Sequence, residues 1–436
     1  MKVLKYINKI SLSIVAAIAL ASCNALDLSP IDHYGSGNFW NTTAQVEGYM
    51  TGMHNQLRGS YTMFYTLGEA RGGTLRSGTS SLNTSLDMSD PIKNNQFTKD
   101  KTGVSNWNGI YGKLMQVNHF IQQLENGCHF LHQKEKEQYL GQAYGLRAFY
   151  YSYLYRTFGG VPIVTTVKVL EGKISAEKLY TERSSATDVL QLIKSDIAKS
   201  EEYFGDSDAH TPNRWNKHTT LLLKAEMYQW AAKVSINEYE ATGKADLIIA
   251  KEALKQVEGK YELLQDFSTV FSQKNNVYSD NVFVGQRYDK EGNILDDVLD
   301  LRGNGLLRHE YKSSLWDIYD EKDSRRDKTF FAHYDKEGKN QGLVLLKGIG
   351  IINSNGNRVY ETDIVVYRYT DVLLMLAEIE NGLGGDISPY INKVRERAYG
   401  ANFTDEYKYN NGTFEENELA ILAERDKEFV WEGKLV

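Results

Sequence analysis

Apolar residues at alternating steps of three and four recur in block after block along this chain. That rhythm commits most of it to amphipathic helices. Ile110, Leu114, Val117, Ile121 and Leu124 form one stripe. Tyr139, Ala143, Leu146, Tyr150, Tyr153 and Thr157 form a second, which Phe158-Gly159-Gly160-Val161-Pro162 stops. Ala186, Leu190, Ile193 and Ile197 give a third, Leu221, Ala225, Tyr228 and Ala232 a fourth, and Ala250, Leu254 and Val257 a shorter fifth. Tyr369, Val372, Leu373, Leu376 and Ala377 make a sharp stripe closed by Asn381-Gly382, and Tyr390, Ile391, Val394 and Ala398 supply its partner. Five prolines in 436 residues let such helices run long. The stripes pair as helical hairpins, without a fixed-period sequence repeat.

The segments between the helices differ in character. Residues 72–104 are rich in Ser, Thr, Asn, Gly and Asp and read as long surface loops. Residues 275–310 and 330–362 carry turn signals and short β-type runs such as Val282-Phe283-Val284. Asp289-Lys290-Glu291-Gly292 and Asp335-Lys336-Glu337-Gly338 faintly resemble calcium loops, but the glycine comes too early and the ligand ladder is incomplete, so both read as hairpin turns. The expected architecture is mainly α, helix pairs joined by irregular loops and short β-hairpins. Long ordered loops are where a binding surface is expected.

The first residues read as a leader. Lys2, Lys5 and Lys9 precede the apolar run Ile10 to Ala21, which is too short for a permanent membrane span. The run ends in Leu20-Ala21-Ser22-Cys23, which resembles the bacterial lipobox, where the cysteine sulfur is acylated and becomes the new N-terminus. Residues 1–22 are therefore expected to be a lipoprotein signal peptide, 23–35 a tether, and 36–436 one domain. With Cys23 carrying lipid, Cys128 has no intramolecular partner, so the core alone must hold the fold. The net charge of −7 grows more acidic once the three leader lysines are removed, which argues against a nucleic-acid partner.

The residue constellations point away from catalysis. Cys128-His129 and His132 lack the further ligands that a zinc or haem site requires, and read as a helix end and turn. Gly348-Ile349-Gly350 has Asn353 where a dinucleotide loop has its third glycine. No Gly-x-Ser-x-Gly or His-Glu-x-x-His is present, and nothing singles out a carboxylate pair. No catalytic residue, metal or cofactor is expected. Arg395-Glu396-Arg397 and Glu424-Arg425-Asp426-Lys427-Glu428 read either as solvated helix faces or as buried structural pairs.

Several motifs in order carry a family likeness. They are Phe39-Trp40, Gly48-Tyr49 to Gly59, Gly68-Glu69-Ala70-Arg71-Gly72 and Trp107-x3-Tyr111-x6-Asn118. Leu146-Arg147-Ala148-Phe149-Tyr150-Tyr151 then runs into Tyr155-Arg156-x2-Gly159-Gly160-Val161-Pro162. Arg368-Tyr369-x2-Asp371-Val372-Leu373-Leu374-x2-Ala377-Glu378, Ile391-Asn392-x-Val394-Arg395-x-Arg397-Ala398 and Glu424-Arg425-x2-Glu428-Phe429-x2-Glu432-Gly433 complete the series. In these the chain resembles the SusD/RagB family of outer-membrane nutrient-binding lipoproteins. The family pattern continues beyond Glu432-Gly433 with a basic residue, an aromatic, an Asp-Leu pair and a tail. The sequence stops at Val436, so that closing part of the fold is expected to be missing.

The resemblance implies a SusD-like fold of tetratricopeptide-like helix pairs, decorated by loops that carry the ligand site. It implies a lipid-anchored protein on the cell exterior that binds oligosaccharide or polysaccharide. Such proteins cap a SusC-like TonB-dependent transporter and pass the ligand on for import. A peptide-binding lid of the RagB kind is the alternative. Sugars are held by aromatic faces and by planar donors on their hydroxyls. The loop residues of those types are Arg71, Arg76, Asn83, Tyr278, Arg287 and Tyr288. Trp107, Trp215 and Trp316 fall in or beside helices and read as core, and Arg147 and Asn392 as scaffold.

Overall fold

The computed structural model describes residues 39–76, 96–104, 107–168, 175–209, 211–271, 281–285, 311–347, 351–352, 358–359 and 363–434. Its helices are α1 (Thr43–Arg58), α2 (Tyr61–Gly68), α3 (Asn108–Asn126), α4 (Gln133–Phe158), α5 (Ala176–Leu179), α6 (Ala186–Phe204), α7 (Lys217–Lys233), α8 (Lys244–Lys255), α9 (Arg325–Thr329), α10 (Tyr369–Leu383), α11 (Ser388–Tyr399) and α12 (Phe414–Glu428). The strands are β1 (Asn281–Gly285), β2 (Phe330–Tyr334), β3 (Asn340–Leu345), β4 (Ile351–Ile352), β5 (Arg358–Val359) and β6 (Ile364–Arg368). Each apolar stripe read from the sequence is a helix, and the protein is mainly α. One boundary differs: α10 does not close at Asn381-Gly382 but runs to Leu383 and stops at Gly384. Asn381 is buried inside the helix, its amide donating to the Phe414 carbonyl (3.0 Å) and to Glu418 (2.8 Å), so a turn residue by type serves here as a helix–helix tie.

The helices pack as neighbouring pairs: α4 against α3 and α6, α7 against α8, and α10 against α8, α11 and α12. The 26-residue α4 is the hub, buried along most of its length. Gly145 is what lets another element reach it. A Cβ there would lie 1.9 Å from the Trp215 Nε1, so the indole, 1% exposed, seats directly on the helix backbone. Arg147 ties three helices, reaching both oxygens of Asp196 on α6 at 2.8 Å and Asn118 of α3 at 3.1 Å. Such a two-pronged buried pair fixes geometry as much as it stabilises. Asn118 also donates to the Val164 carbonyl (2.8 Å), and Tyr111 to that of Pro162. The scaffold role of Arg147 follows, and Asn392 has the same kind of role, exchanging bonds with the Tyr409 backbone (2.9 and 2.7 Å). Cys128 is buried just after α3 ends, the helix end and turn expected there.

The short strands make antiparallel pairs, β1 with β6, β2 with β3 and β4 with β5. The turn between β2 and β3 is the Asp335 segment. Its carboxylate accepts from the N–H groups of Glu337 (3.0 Å) and Lys339 (2.8 Å), an Asx-type turn, which closes a hairpin. Tyr311 bridges Leu75 on one side and Leu343 of β3 on the other. A second apolar cluster gathers around this hairpin, from Leu75, Tyr311, Tyr319, Phe330, Leu343 and Leu345 to Val430 and Trp431. Of the tryptophans read as core, Trp215 is fully buried, while Trp107 and Trp316 are half-buried at the edges of the two clusters.

Between the clusters lies a buried ionic network. Arg325 grips Asp323 through two nitrogens (2.9 and 2.6 Å) and lies 3.0 Å from both Glu424 and Glu428. Arg368 reaches Glu428 (2.6 Å) and Glu432 (2.7 Å), and Arg397 also meets Glu428. The Lys347 ammonium donates to Glu432 (2.9 Å) and to the carbonyls of Glu428 (2.7 Å) and Val430 (2.9 Å). Four cations thus face four acids, which is how a charged group survives burial. The C-terminal charged motifs are therefore buried structural pairs at Arg397, Glu424 and Glu428, half-buried at Arg395, Arg425 and Lys427, and solvated at Glu396 and Asp426.

Candidate functional site

A cleft of about 430 Å³ opens where the helical core meets the end of the described chain. Phe64, Leu67 and Gly68 come from α2 and Arg71 from the turn after it. Tyr153 and Arg156 come from the last turns of α4, and Glu226, Trp230 and Lys233 from α7. β6 supplies Tyr367, α10 Asp371 and Glu378, α12 Glu418 and Arg425, and the final segment Trp431 to Lys434. Gly68 and Gly433 bring that segment against α2: a Cβ on Gly68 would lie 1.8 Å from the Gly433 carbonyl oxygen, and Gly433 has φ +70°. Only glycine at both places permits this approach.

The walls mix rings with charge. The Arg156 guanidinium lies over Tyr153 and Trp230, 5.0 and 5.9 Å from the ring centres, and pairs with Glu226 at 2.6 Å. Tyr367 donates to the other Glu226 oxygen at 2.5 Å. Burial alone would raise the Glu226 carboxyl, but Arg156 and Tyr367 outweigh it and hold it below its usual range. Lys233 reaches Glu378 at 2.7 Å and Glu418 at 3.8 Å, and Lys434 reaches Asp371 at 2.6 Å. The indole N–H of Trp230 has no acceptor among the described residues. Such a surface offers flat apolar faces, planar donors and anionic acceptors together, which is what a polyhydroxylated ligand requires. Among the described residues no group of three or more His, Cys, Asp or Glu could hold a metal, and no helix is long and apolar enough to cross a membrane.

Of the residues expected to contact ligand, Arg71 lines this cleft. Arg76 lies further along the same segment, beside Leu75, and is not part of the lining. Asn83, Tyr278, Arg287 and Tyr288, like Cys23, the residue expected to carry lipid, lie outside the described residues. Sequence reasoning missed Arg156, Glu226, Trp230 and Lys233. Arg156 stood inside a recognised motif, but nothing there separates a scaffold arginine from one lining a cleft, and the other three come from helix α7, far away in sequence.

Comparison with known proteins bears on the whole chain. A family model described as the SusD family matches residues 334–436, and one described as starch-binding, associating with the outer membrane, matches residues 26–228. SusD-like protein P38 of Formosa agariphila is 24% identical, over 99% of this chain and 90% of its own length. A SusD superfamily protein of Bacteroides fragilis is 35% identical, with a TM-score of 0.81 over 91% of this chain and 87% of that one. NanU of B. fragilis is 29% identical, with a TM-score of 0.79 over 93% and 90%.

Proposed function

The chain belongs to the SusD family, and from that membership we propose that it binds saccharide at the outer-membrane surface and does no chemistry on it. Lipid on Cys23 holds it there, facing the exterior, and it passes its ligand to a SusC-like TonB-dependent transporter for import. The observation that carries the reading is the family match along the chain, and in keeping with it is the cleft. Residues from six helices and strands converge on it, with Trp230 and Tyr153 as ring faces and Arg71 arriving from the loop side. The family description names starch binding and outer-membrane association, in keeping with a saccharide rather than a peptide.

The test is affinity electrophoresis of the protein cut just after Cys23, in gels holding a polysaccharide panel, with casein peptides alongside. Retardation by one glycan class is expected, weakened several-fold by Arg71→Ala and by Trp230→Ala. The loop variants Arg76→Ala and Tyr288→Ala report whether the contact surface extends into the loops. Binding of peptides with no glycan retarded would discard the saccharide reading. Fractionation of the Cys23→Ala variant tests the tether: the full chain is expected in the membrane fraction and the variant out of it.

A further inference from the structure

His54 lies buried on α1 with both ring nitrogens engaged. Its Nδ1 sits 3.0 Å from the Met50 carbonyl, and its Nε2 accepts the Trp215 backbone N–H at 2.9 Å. A carbonyl only accepts and a backbone N–H only donates, so the ring is neutral, with its proton on Nδ1 and a lone pair on Nε2. The charge that faces it is Arg214, whose guanidinium comes within 3.5 Å of Nδ1 and also reaches Glu47 (2.6 Å) and Thr51 (2.8 Å) of α1. Glu47 in turn accepts from the Tyr139 hydroxyl of α4 at 3.0 Å. The Arg214–Trp215 stretch, which leads into α7, is thus clasped to α1 through one imidazole and one guanidinium.

A proton on Nε2 would set one N–H against another at the Trp215 contact and place a second cation beside Arg214. We propose that this contact is an acid-released latch: when His54 takes up a proton, α1 parts from the Arg214–Trp215 stretch while the helix pairs behind it stay folded. The Trp215 indole keeps its own bond to Thr220 (2.8 Å) and can stay seated on Gly145. Burial pushes the closed ring down to about 4, with the Met50 carbonyl opposing and Arg214 adding to the fall. An opened ring takes its proton near the ordinary 6.5. The latch is therefore at its firmest above pH 6.5. Opening gains about tenfold for each pH unit below that, until the closed ring itself takes the proton near 4. Because α1 is the first helix after the stretch expected to tether the domain, acid loosens the fold at that end. The latch stands on these contacts and not on the ligand reading.

The experiment is hydrogen exchange of the protein at pH 7.5 and 5.0, read by mass spectrometry with fragmentation that resolves single amides. Each rate is divided by the intrinsic rate at its pH. The Trp215 amide is expected to lose about 30-fold in protection at the lower pH, while the α4 amides from Leu140 to Leu154 keep theirs. His54→Gln offers Trp215 an oxygen acceptor and takes no proton, so it should remove the fall. Arg214→Gln takes away the repelling charge and should lessen it. No fall in wild type, or one that survives His54→Gln, overturns the latch. Loss of α4 protection by the same factor would mean global unfolding and overturns it too. Should His54→Gln fail to fold, an undiminished fall in Arg214→Gln decides against it.

Discussion

Glu69 is fully buried, one carboxylate oxygen accepting from the Tyr311 hydroxyl at 2.9 Å. Burial pushes its carboxyl up to about 7, against the opposing pull of the Trp431 backbone N–H and Tyr311. The folded protein thus holds this proton more tightly than the unfolded chain does. Stability from this group is therefore fully present below pH 4.5 and is lost as pH rises through 7, by about 3 kcal/mol in all. Glu69→Gln keeps the acceptor for Tyr311 and carries no charge. Urea unfolding should find the variant gaining on wild type by about that amount between pH 4.5 and pH 8, and a constant gap across that range would refute the account. Glu428 is the opposite case. Burial would raise it, but Arg397, Arg368 and Arg325 together hold its carboxyl well below the usual range. Glu428→Gln leaves three guanidinium groups short of an anion, and a loss of about 3–5 kcal/mol is expected in the same assay. Lys408→Ala, which removes a solvated ion pair with Asp405, should leave the midpoint unmoved. The sequence left these cases undecided. An acid four residues from an arginine on a helix looks the same whether it faces water or meets partners a hundred positions away.

The helices themselves were legible, because the spacing of apolar residues records which face is covered and a covering neighbour is all a stripe requires. What the stripes do not record is how closely the neighbour approaches. Gly145 and Gly112 both lie inside helices and look alike in sequence. A Cβ at Gly112 meets open space, whereas one at Gly145 drives into Trp215. Gly112→Ala is expected to stabilise by about 0.5–1 kcal/mol through helix propensity. Gly145→Ala is expected to destabilise by about 1–3 kcal/mol through overpacking. Thermal unfolding of the two variants checks the pair, and a gain at Gly145 would show that the indole can move aside. The stop of α10 was misplaced for a related reason: Asn381-Gly382 has turn chemistry, but Asn381 is bonded to α12, and Leu247 packs where a Gly382 Cβ would stand. Tertiary contact overrode the local signal.

At the scale of the molecule, helix pairing, short hairpins and family were readable from motifs spread in order along the chain. The cleft was not. Its walls come from α2, α4, α7, β6, α10, α12 and the last described residues, so no window of sequence contains it, and Arg71 was found only because loop arginines suit sugars. The buried network has a consequence in time as well as in space. Arg325 meets Asp323 two residues before it, but Glu428 comes 103 residues later, and Lys347 finds Glu432 only after 85. Helices α3 to α8 can pair with neighbours already made, but the cations around β2 and β3 cannot complete their network until the chain has been made through Glu432. The lobe built on Tyr311 and Trp431, and the cleft beside it, accordingly cannot close until those distant acids have left the ribosome.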